Sequence, residues 1–244
     1  MDYKMKTVKQ GIYVGFSNLY RLYWTQSRFS IVPEDSFIDL RDIKNNIKRP
    51  PGFPFSLNNA VDKLLKKEFD HHRSMGTSHP LQAHLNLVPA NLPQMDKWRD
   101  SLHGGVSYEH PTHHCKYYGG IDDLWVDANQ TYYIVDYKAT AKTEAVTSIP
   151  EWADAYKRQA EIYQWLLRKN GLTVSDTAYF VYCTGDVNQS AFNQQILFQT
   201  HVIPYIGSDA WVDNVLNNLQ QCLNTTLPPN YTPNCVYCKF AQSN

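Results

Sequence analysis

The sequence predicts an α/β fold in which helices flank a mixed β-sheet. Two stretches, 57–70 and 152–169, space their apolar residues as amphipathic helices do. Strand-like runs lie between them, and two more strand-like runs (178–183 and 195–204) and a helical run (211–223) follow the second helix. This order of helix, strands, helix, strand, strand and helix is typical of helices packed around a mixed sheet.

Length and composition favour one elaborated domain. A chain of 244 residues, 43% of them hydrophobic and 14% aromatic, can bury one substantial core. We predict an irregular accessory segment over 1–50, ended by the Pro50-Pro51 breaker, and a main domain over 51–244. No apolar run approaches the roughly 20 residues that span a bilayer, and the N-terminus lacks an apolar signal-peptide core. We therefore expect a soluble protein without a membrane partner.

The candidate chemistry lies on two strand-like runs joined by a polar turn. They read GGIDDLW over 119–125 and YIVDYK over 133–138, with turn-forming residues at 127–130. Alternate residues of a strand share a face, so Asp136 and Lys138 should point together and Tyr137 away from them. A hairpin of these runs can bring Asp122 opposite Asp136. The pattern predicts two carboxylates and a lysine at one edge.

These residue types suit metal-assisted phosphodiester hydrolysis. Mg²⁺ and Mn²⁺ take oxygen ligands, which Asp122 and Asp136 can supply. A metal so held polarises a phosphoryl group and activates water, and Lys138 could orient that water or steady the developing charge. An Asp-x-Lys pattern is also compatible with a solvated strand end that carries a surface ion pair.

A helix face adds to the hairpin signal. Tyr156, Gln159 and Tyr163 are spaced i, i+3 and i+7, which puts them on one face of the 152–169 helix. That face could lie across the hairpin.

Three motifs, GGIDDLW, IVDYKAT and YKRQAEIYQWLL, resemble in their order and spacing those of the PD-(D/E)XK nuclease superfamily, in particular its RecB-like branch of exonuclease domains. The resemblance implies a restriction-endonuclease-like core. It further implies that Asp122 is the first metal-binding aspartate, Asp136 the second acidic ligand and Lys138 the catalytic lysine. Asp123 competes with Asp122 for the first role, and the family's Gly-x-Ile-Asp pattern favours Asp122.

Two further parts of the site follow from the same resemblance. Gln159 and Tyr163 match the family's QxxxY element, which shapes the site and contacts the nucleic-acid strand. On the 57–70 helix, Asp62 matches a further metal-side residue, and Glu68 is an alternative that fits less well. A solvated carboxylate on the helix face remains the other interpretation of both.

The cysteines leave one question open. Of five cysteines, only Cys235 and Cys238 have ligand spacing. In RecB-like nucleases such a pair often joins other cysteines to hold an iron–sulfur cluster, but a complete set of four is missing here. We favour a relic pair that packs as small apolar side chains over a cluster or zinc site completed by Cys222 or a histidine. The odd cysteine count and the absence of a leader indicate a reducing, hence cytoplasmic, compartment.

Net charge is the feature that fits a nuclease least. The 23 basic residues equal the 23 acidic ones, which gives no overall basic footprint for nucleic acid. Local basic clusters could still form a basic channel at the mouth of the cleft, although each is equally compatible with an ordinary solvated helix face. The clusters are Lys44, Lys48 and Arg49; Lys63, Lys66 and Lys67; and Lys157, Arg158, Arg168 and Lys169. From the motifs we expect a Mg²⁺- or Mn²⁺-dependent nuclease that acts on single-stranded DNA or a duplex end. From the charge we expect that it either binds DNA weakly by itself or receives its substrate from a helicase or another DNA-processing partner. Two alternatives stay open: a catalytically inactive nucleic-acid-binding module of the same fold, and a metal-dependent phosphohydrolase of small nucleotides.

Overall fold

The computed structural model describes residues 12–16, 56–101, 103–113, 115–150 and 153–224. Of the predicted 1–50 segment it therefore covers one strand. The Cys235 and Cys238 pair and the Pro50-Pro51 breaker lie outside the described residues. The division into an accessory segment and a main domain stays a prediction.

A five-stranded mixed sheet forms the centre of the protein. In spatial order its strands are β2 (Val88–Pro89), β5 (Asp123–Val126), β6 (Tyr132–Lys142), β7 (Thr177–Asp186) and β8 (Phe198–Ile206). Strands β6 and β7 run parallel, and the other neighbours run antiparallel. The predicted class, a mixed β-sheet flanked by helices, is confirmed.

Helices cover both faces of this sheet and bury a separate apolar cluster on each. Helix α1 (Ser56–Met75) packs Leu65 and Phe69 against β5, β6 and β7, where they meet Trp125 and Val181. The opposite face carries α2 (Met95–Arg99), α3 (Asp154–Lys169) and α4 (Val212–Asn224), which share the other cluster. The crossover from β6 through α3 to β7 is the helical connection that parallel strands require. None of the described helices is long and apolar enough to cross a membrane.

A second, three-stranded sheet was not predicted from the sequence. It consists of β1 (Ile12–Phe16), β4 (Cys115–Gly119) and β3 (Val106–Glu109), in that order, with β1 parallel to β4. Strands β3 and β4 mix polar and aromatic residues without clean alternation, so periodicity does not reveal them. Likewise, the stretch 75–105, which Pro and Gly residues interrupt in the sequence, contains a 3₁₀ turn (Ala83–Leu85), β2 and α2.

The alternation along β6 positions the candidate site. Lys138 lies on the α3 side, its ammonium 4.5 Å from the centroid of the Tyr156 ring. Tyr137 lies on the α1 side, its ring centroid 5.7 Å from that of Phe69. The two buried faces fix which residues of β6 point to which helix, because a slip of one residue would exchange the faces.

Gly120 allows a close approach of two loops just before β5. A Cβ atom at this position would lie 2.7 Å from Ser101 Cβ and 2.8 Å from Ser101 Cα. The neighbouring Ile121 N–H donates to the carbonyl of Trp98 over 3.1 Å, so the contact cannot open freely.

We predict that Gly120→Ala destabilises the protein by about 1–3 kcal/mol, because the added methyl group overpacks this contact. Urea unfolding of the variant and the wild type measures the effect. An unchanged unfolding midpoint would show that the loop yields without cost.

Candidate active site

Three carboxylates and two lysines come together beside the point where β5 stops pairing with β6. Strand β5 pairs with β6 only over Tyr132–Val135, with Asp123 opposite Val135. Continuing this register by one residue sets Asp122 beside Asp136. The Tyr137 N–H then donates to Asp122 Oδ2 over 2.9 Å, so a carboxylate takes the hydrogen bond that a longer β5 would have accepted.

Helix α1 covers the same edge of β6 further on. The side-chain amide of Asn58 donates to the carbonyl of Ala139 over 3.1 Å. Backbone N–H and C=O groups of residues 137 and 139 point to the same side of a strand. The side chains of Asp122 and Asn58 therefore form hydrogen bonds with the backbone of this strand edge, next to the candidate ligands. The Asn58 bond also holds α1 against β6 at this place.

Asp136 and Lys138 form a buried ion pair. Their side chains are only 4% and 3% exposed. Burial raises the pKa of Asp136 to about 7; Lys138 opposes this shift, and the nearby Asp122 adds to it. Burial lowers the pKa of Lys138, but Asp136 and Asp122 outweigh that effect and the pKa is raised. Lys138 is thus an ammonium at neutral pH.

Asp122 and Asp123 face different surroundings. Asp122 lies beside Asp136, whereas Asp123 is fully buried in a structural network. Its Oδ1 accepts from Arg73 over 2.5 Å and from Arg99 over 2.9 Å, and its Oδ2 accepts from the Tyr137 hydroxyl over 2.7 Å. Asp123 has no spare oxygen for a metal, which leaves Asp122 as the better candidate.

Asp62 lies close to Asp122, and Glu68 does not. Lys66, one turn after Asp62 on α1, is 2.9 Å from both Asp62 oxygens and 3.5 Å from Asp122 Oδ1. Burial and the charge of Asp122 raise the pKa of Asp62. Glu68 is largely exposed and contacts His79 Nε2 at 3.4 Å. Sequence reasoning counted Lys66 only as part of a basic cluster, although its spacing four residues after Asp62 indicates the pair.

Gln159 and Tyr163 lie on α3, as predicted, and contact each other. Gln159 Nε2 donates to the Tyr163 hydroxyl over 2.9 Å, and both side chains are buried. Burial, with the charges of Asp122 and Asp136, raises the pKa of Tyr163, so its hydroxyl stays protonated. Gln159 Oε1 is buried without a hydrogen-bond partner, which leaves one acceptor near the carboxylates.

A comparison with models of known protein families identifies the family of the chain. The model of the PD-(D/E)XK nuclease superfamily matches residues 48–243. The chain belongs to this superfamily. Its members are typically nucleases that use divalent metals and act on DNA. The mixed sheet flanked by helices is consistent with the superfamily's restriction-endonuclease-like fold.

Other comparisons add little. The crystal structure of SSO0001 aligns with 17% sequence identity and a TM-score of 0.28, over 52% of this chain and 50% of that one. The chain thus spans about half the length of that structure. No curated protein gives a significant match.

The donor set of this superfamily member suits a hard divalent cation. Asp62 Oδ1, Asp122 Oδ1 and Asp136 Oδ2 are buried, and each lies against a lysine ammonium, that of Lys66 for the first two and that of Lys138 for the third. Carboxylate oxygens are the ligands that Mg²⁺ and Mn²⁺ prefer. Within the described part of the chain, no three acidic, histidine or cysteine side chains already lie close enough to share one ion. The arrangement fits an ion held by one or two carboxylates, as is common for Mg²⁺.

Most of the described basic clusters are neutralised by acidic neighbours. Lys157 pairs with Asp154 at 3.0 Å, and Lys169 with Asp213 at 3.1 Å. Arg168 pairs with both Asp176 and Asp209. These residues do not form the uncompensated basic channel that clustering in sequence could have provided. The cluster at 44–49 lies outside the described residues.

We predict that Asp122→Asn and Asp123→Asn have different effects on stability. The amide oxygen introduced by Asp122→Asn can still accept the Tyr137 N–H, and the change removes one of three neighbouring negative charges, so stability should be kept or increased. The change Asp123→Asn leaves two buried guanidinium groups undercompensated, which should cost about 3 kcal/mol or more. Urea unfolding of both variants measures this, and equal losses would contradict the assignment.

Stability without metal should depend on the ionisation of Asp136. The pKa is raised from 3.8 to about 7 in the folded protein. The folded state therefore holds this proton more tightly, and the contribution of Asp136 falls as pH rises from about 4 to about 7. We predict that Asp136→Asn loses this part of the pH dependence. Unfolding in EDTA at pH 5 and pH 8 checks it, and parallel pH profiles for variant and wild type would contradict it.

Proposed function

We propose that the protein is a metal-dependent nuclease that hydrolyses phosphodiester bonds of DNA, an exonuclease of the RecB-like branch. The main support for the proposal is that the carboxylates of Asp122 and Asp136 meet the Lys138 ammonium at one buried edge of the sheet. Membership of the PD-(D/E)XK superfamily supports it. The motif order GGIDDLW, IVDYKAT, YKRQAEIYQWLL supports the RecB-like branch.

Asp122 and Asp136 would hold the metal, with Asp62 beside them. The chemistry that bound Mg²⁺ or Mn²⁺ supplies is Lewis acidity towards a phosphoryl oxygen and activation of water. Asp122 can serve with Oδ1, because its Oδ2 is engaged by the Tyr137 N–H. This backbone hydrogen bond fixes the carboxylate before any ligand binds, which lowers the cost of ordering the site.

Lys138 would act on the scissile phosphate. Its ammonium is held between the Asp136 carboxylate and the Tyr156 ring. From there it can orient the attacking water and stabilise the negative charge that develops on the phosphoryl oxygens. Because the side chain is buried, this interaction is screened less than it would be at a surface.

Gln159 and Tyr163 would shape the site and contact the strand. Their mutual hydrogen bond holds the Gln159 amide, and the raised pKa keeps the Tyr163 hydroxyl a donor. A hydroxyl donor suits a phosphate oxygen, and the Gln159 carbonyl suits a sugar or base donor.

The balance of charges is what we expect of a protein that binds DNA weakly when no partner protein is present. With acidic neighbours at most described clusters and no net charge on the chain, the affinity for DNA should rest on few phosphate contacts. We propose a single strand or duplex end as substrate, delivered by a helicase or another DNA-processing partner, in DNA repair, recombination or defence in the cytoplasm.

The second candidate is a catalytically inactive nucleic-acid-binding or assembly module of the same fold. The observation in its favour is the neutral charge, because a partner protein could supply the affinity for DNA. The intact set of Asp122, Asp136 and Lys138 argues against it, since these are the groups that metal-assisted hydrolysis of a phosphodiester needs.

We predict cleavage of end-labelled single- or double-stranded DNA with Mg²⁺ or Mn²⁺ and none with EDTA. Asp136→Ala and Lys138→Met should each reduce the rate by at least about 10²-fold, because each removes a group that stabilises the transition state. Lys142→Met is the matched control, since Lys142 is an exposed lysine on the same strand, and it should keep the rate. Product lengths distinguish exonuclease from endonuclease action.

Intact substrates under all metal conditions would contradict the enzyme proposal. If the protein then shifts DNA in a salt-sensitive binding assay, the inactive binding module is the better account.

A further inference from the structure

Lys66 contacts two of the carboxylates proposed to hold the metal. Its ammonium lies 2.9 Å from both oxygens of Asp62 and 3.5 Å from Asp122 Oδ1. Asp122 Oδ2 is already engaged by the Tyr137 N–H, so Oδ1 is the oxygen left for any cation. The lysine therefore contacts the same oxygen atoms that a metal would require.

The packing of α1 holds Lys66 at these oxygens. Leu65 and Phe69, on either side of it in the sequence, are buried in the α1 cluster. Asn58 ties the first turn of the helix to β6 through the Ala139 carbonyl. The Lys66 side chain is only 18% exposed. Water can therefore solvate its ammonium group only partly if the group moves away from the carboxylates.

Lys66 reduces the net negative charge of the proposed metal site. Asp62, Asp122 and Asp136 carry three negative charges when ionised, and Lys66 and Lys138 carry two positive ones. With all five groups ionised, the site has a net charge of one negative unit, against two without Lys66. Coulomb attraction for a divalent cation is correspondingly weaker with the lysine present.

We propose that Lys66 is a built-in competitor of the catalytic metal, which weakens metal affinity because its ammonium occupies the Asp62 oxygens and Asp122 Oδ1. The proposal rests on the metal site of the proposed function. It assigns to Lys66 a positioning role distinct from that of Lys138. Metal binding then includes the displacement of one ammonium group, and the concentration of divalent ion at which the site fills is set by this lysine.

Binding of Mn²⁺ alone, without DNA, tests the proposal. The free ion is followed by electron paramagnetic resonance in the wild type, Lys66→Gln, Lys66→Arg and Lys67→Gln. Lys67→Gln is the matched control, because it removes the same charge from the next residue, which is exposed. We expect Lys66→Gln to lower the Kd on the order of tenfold, Lys66→Arg to stay within about twofold, and Lys67→Gln to leave it unchanged.

A second readout separates competition from a merely structural role. In EDTA, Lys66→Gln should melt at a lower temperature than Lys67→Gln, because neighbouring carboxylates lose a counter-ion. Saturating Mn²⁺ should raise its melting temperature by more than that of the wild type, since a ligand that binds only the folded state stabilises it according to its affinity. If Lys66→Gln does not fold, Lys66→Met carries the same test, because it keeps the length and apolar stem of the side chain.

An unchanged or weaker Mn²⁺ affinity of Lys66→Gln would overturn the proposal, and so would equal tightening in Lys67→Gln. These outcomes are separable from failure of the proposed function. Metal-dependent DNA cleavage with an unchanged Kd in Lys66→Gln leaves the nuclease standing and removes the role of Lys66. Tighter Mn²⁺ binding in Lys66→Gln without any DNA cleavage supports the role of Lys66 and removes the nuclease. The absence of Mn²⁺ binding in every variant overturns both.

Discussion

The alternation of side chains along β6 is the constraint on which the site depends. One face of this strand is buried against α3 and the other against α1, so its register cannot slip without exchanging charged and aromatic residues between two cores. Asp136 and Lys138 consequently face α3 together. Because β5 begins only at Asp123, the N–H of Tyr137 has no β5 residue to pair with and donates to the Asp122 side chain instead. The carboxylates therefore meet where the pairing of β5 with β6 is interrupted.

The cost of assembling these charges is offset mainly by pairing. Buried ionised groups are expensive unless they are paired and hydrogen-bonded. Here Lys138 pairs with Asp136 and Lys66 with Asp62, while Asp123 is held by Arg73 and Arg99 beneath the site. The compensation is incomplete at Asp136, whose pKa stays raised to about 7. A carboxylate in that condition gains from any cation that approaches it.

Sequence reasoning predicted the sheet class and the residues of the hairpin, because both have strong local signals. Asp136 and Lys138 follow from strand alternation, and Gln159 and Tyr163 from helical spacing. The second sheet was missed, since its strands are short and irregular in pattern. The contact between Lys66 and Asp122 was missed for another reason: the two residues are distant in sequence, and the packing of α1 on β6 brings them together.

A crystal structure of the protein grown with Mn²⁺, with anomalous differences collected at the manganese edge, would show whether Asp122 and Asp136 hold a metal ion. We expect an anomalous peak within coordination distance of Asp122 and Asp136, adjacent to the Lys138 ammonium. A site without a peak at saturating Mn²⁺, or a peak held by other residues with Asp122 and Asp136 still paired to the lysines, would contradict it.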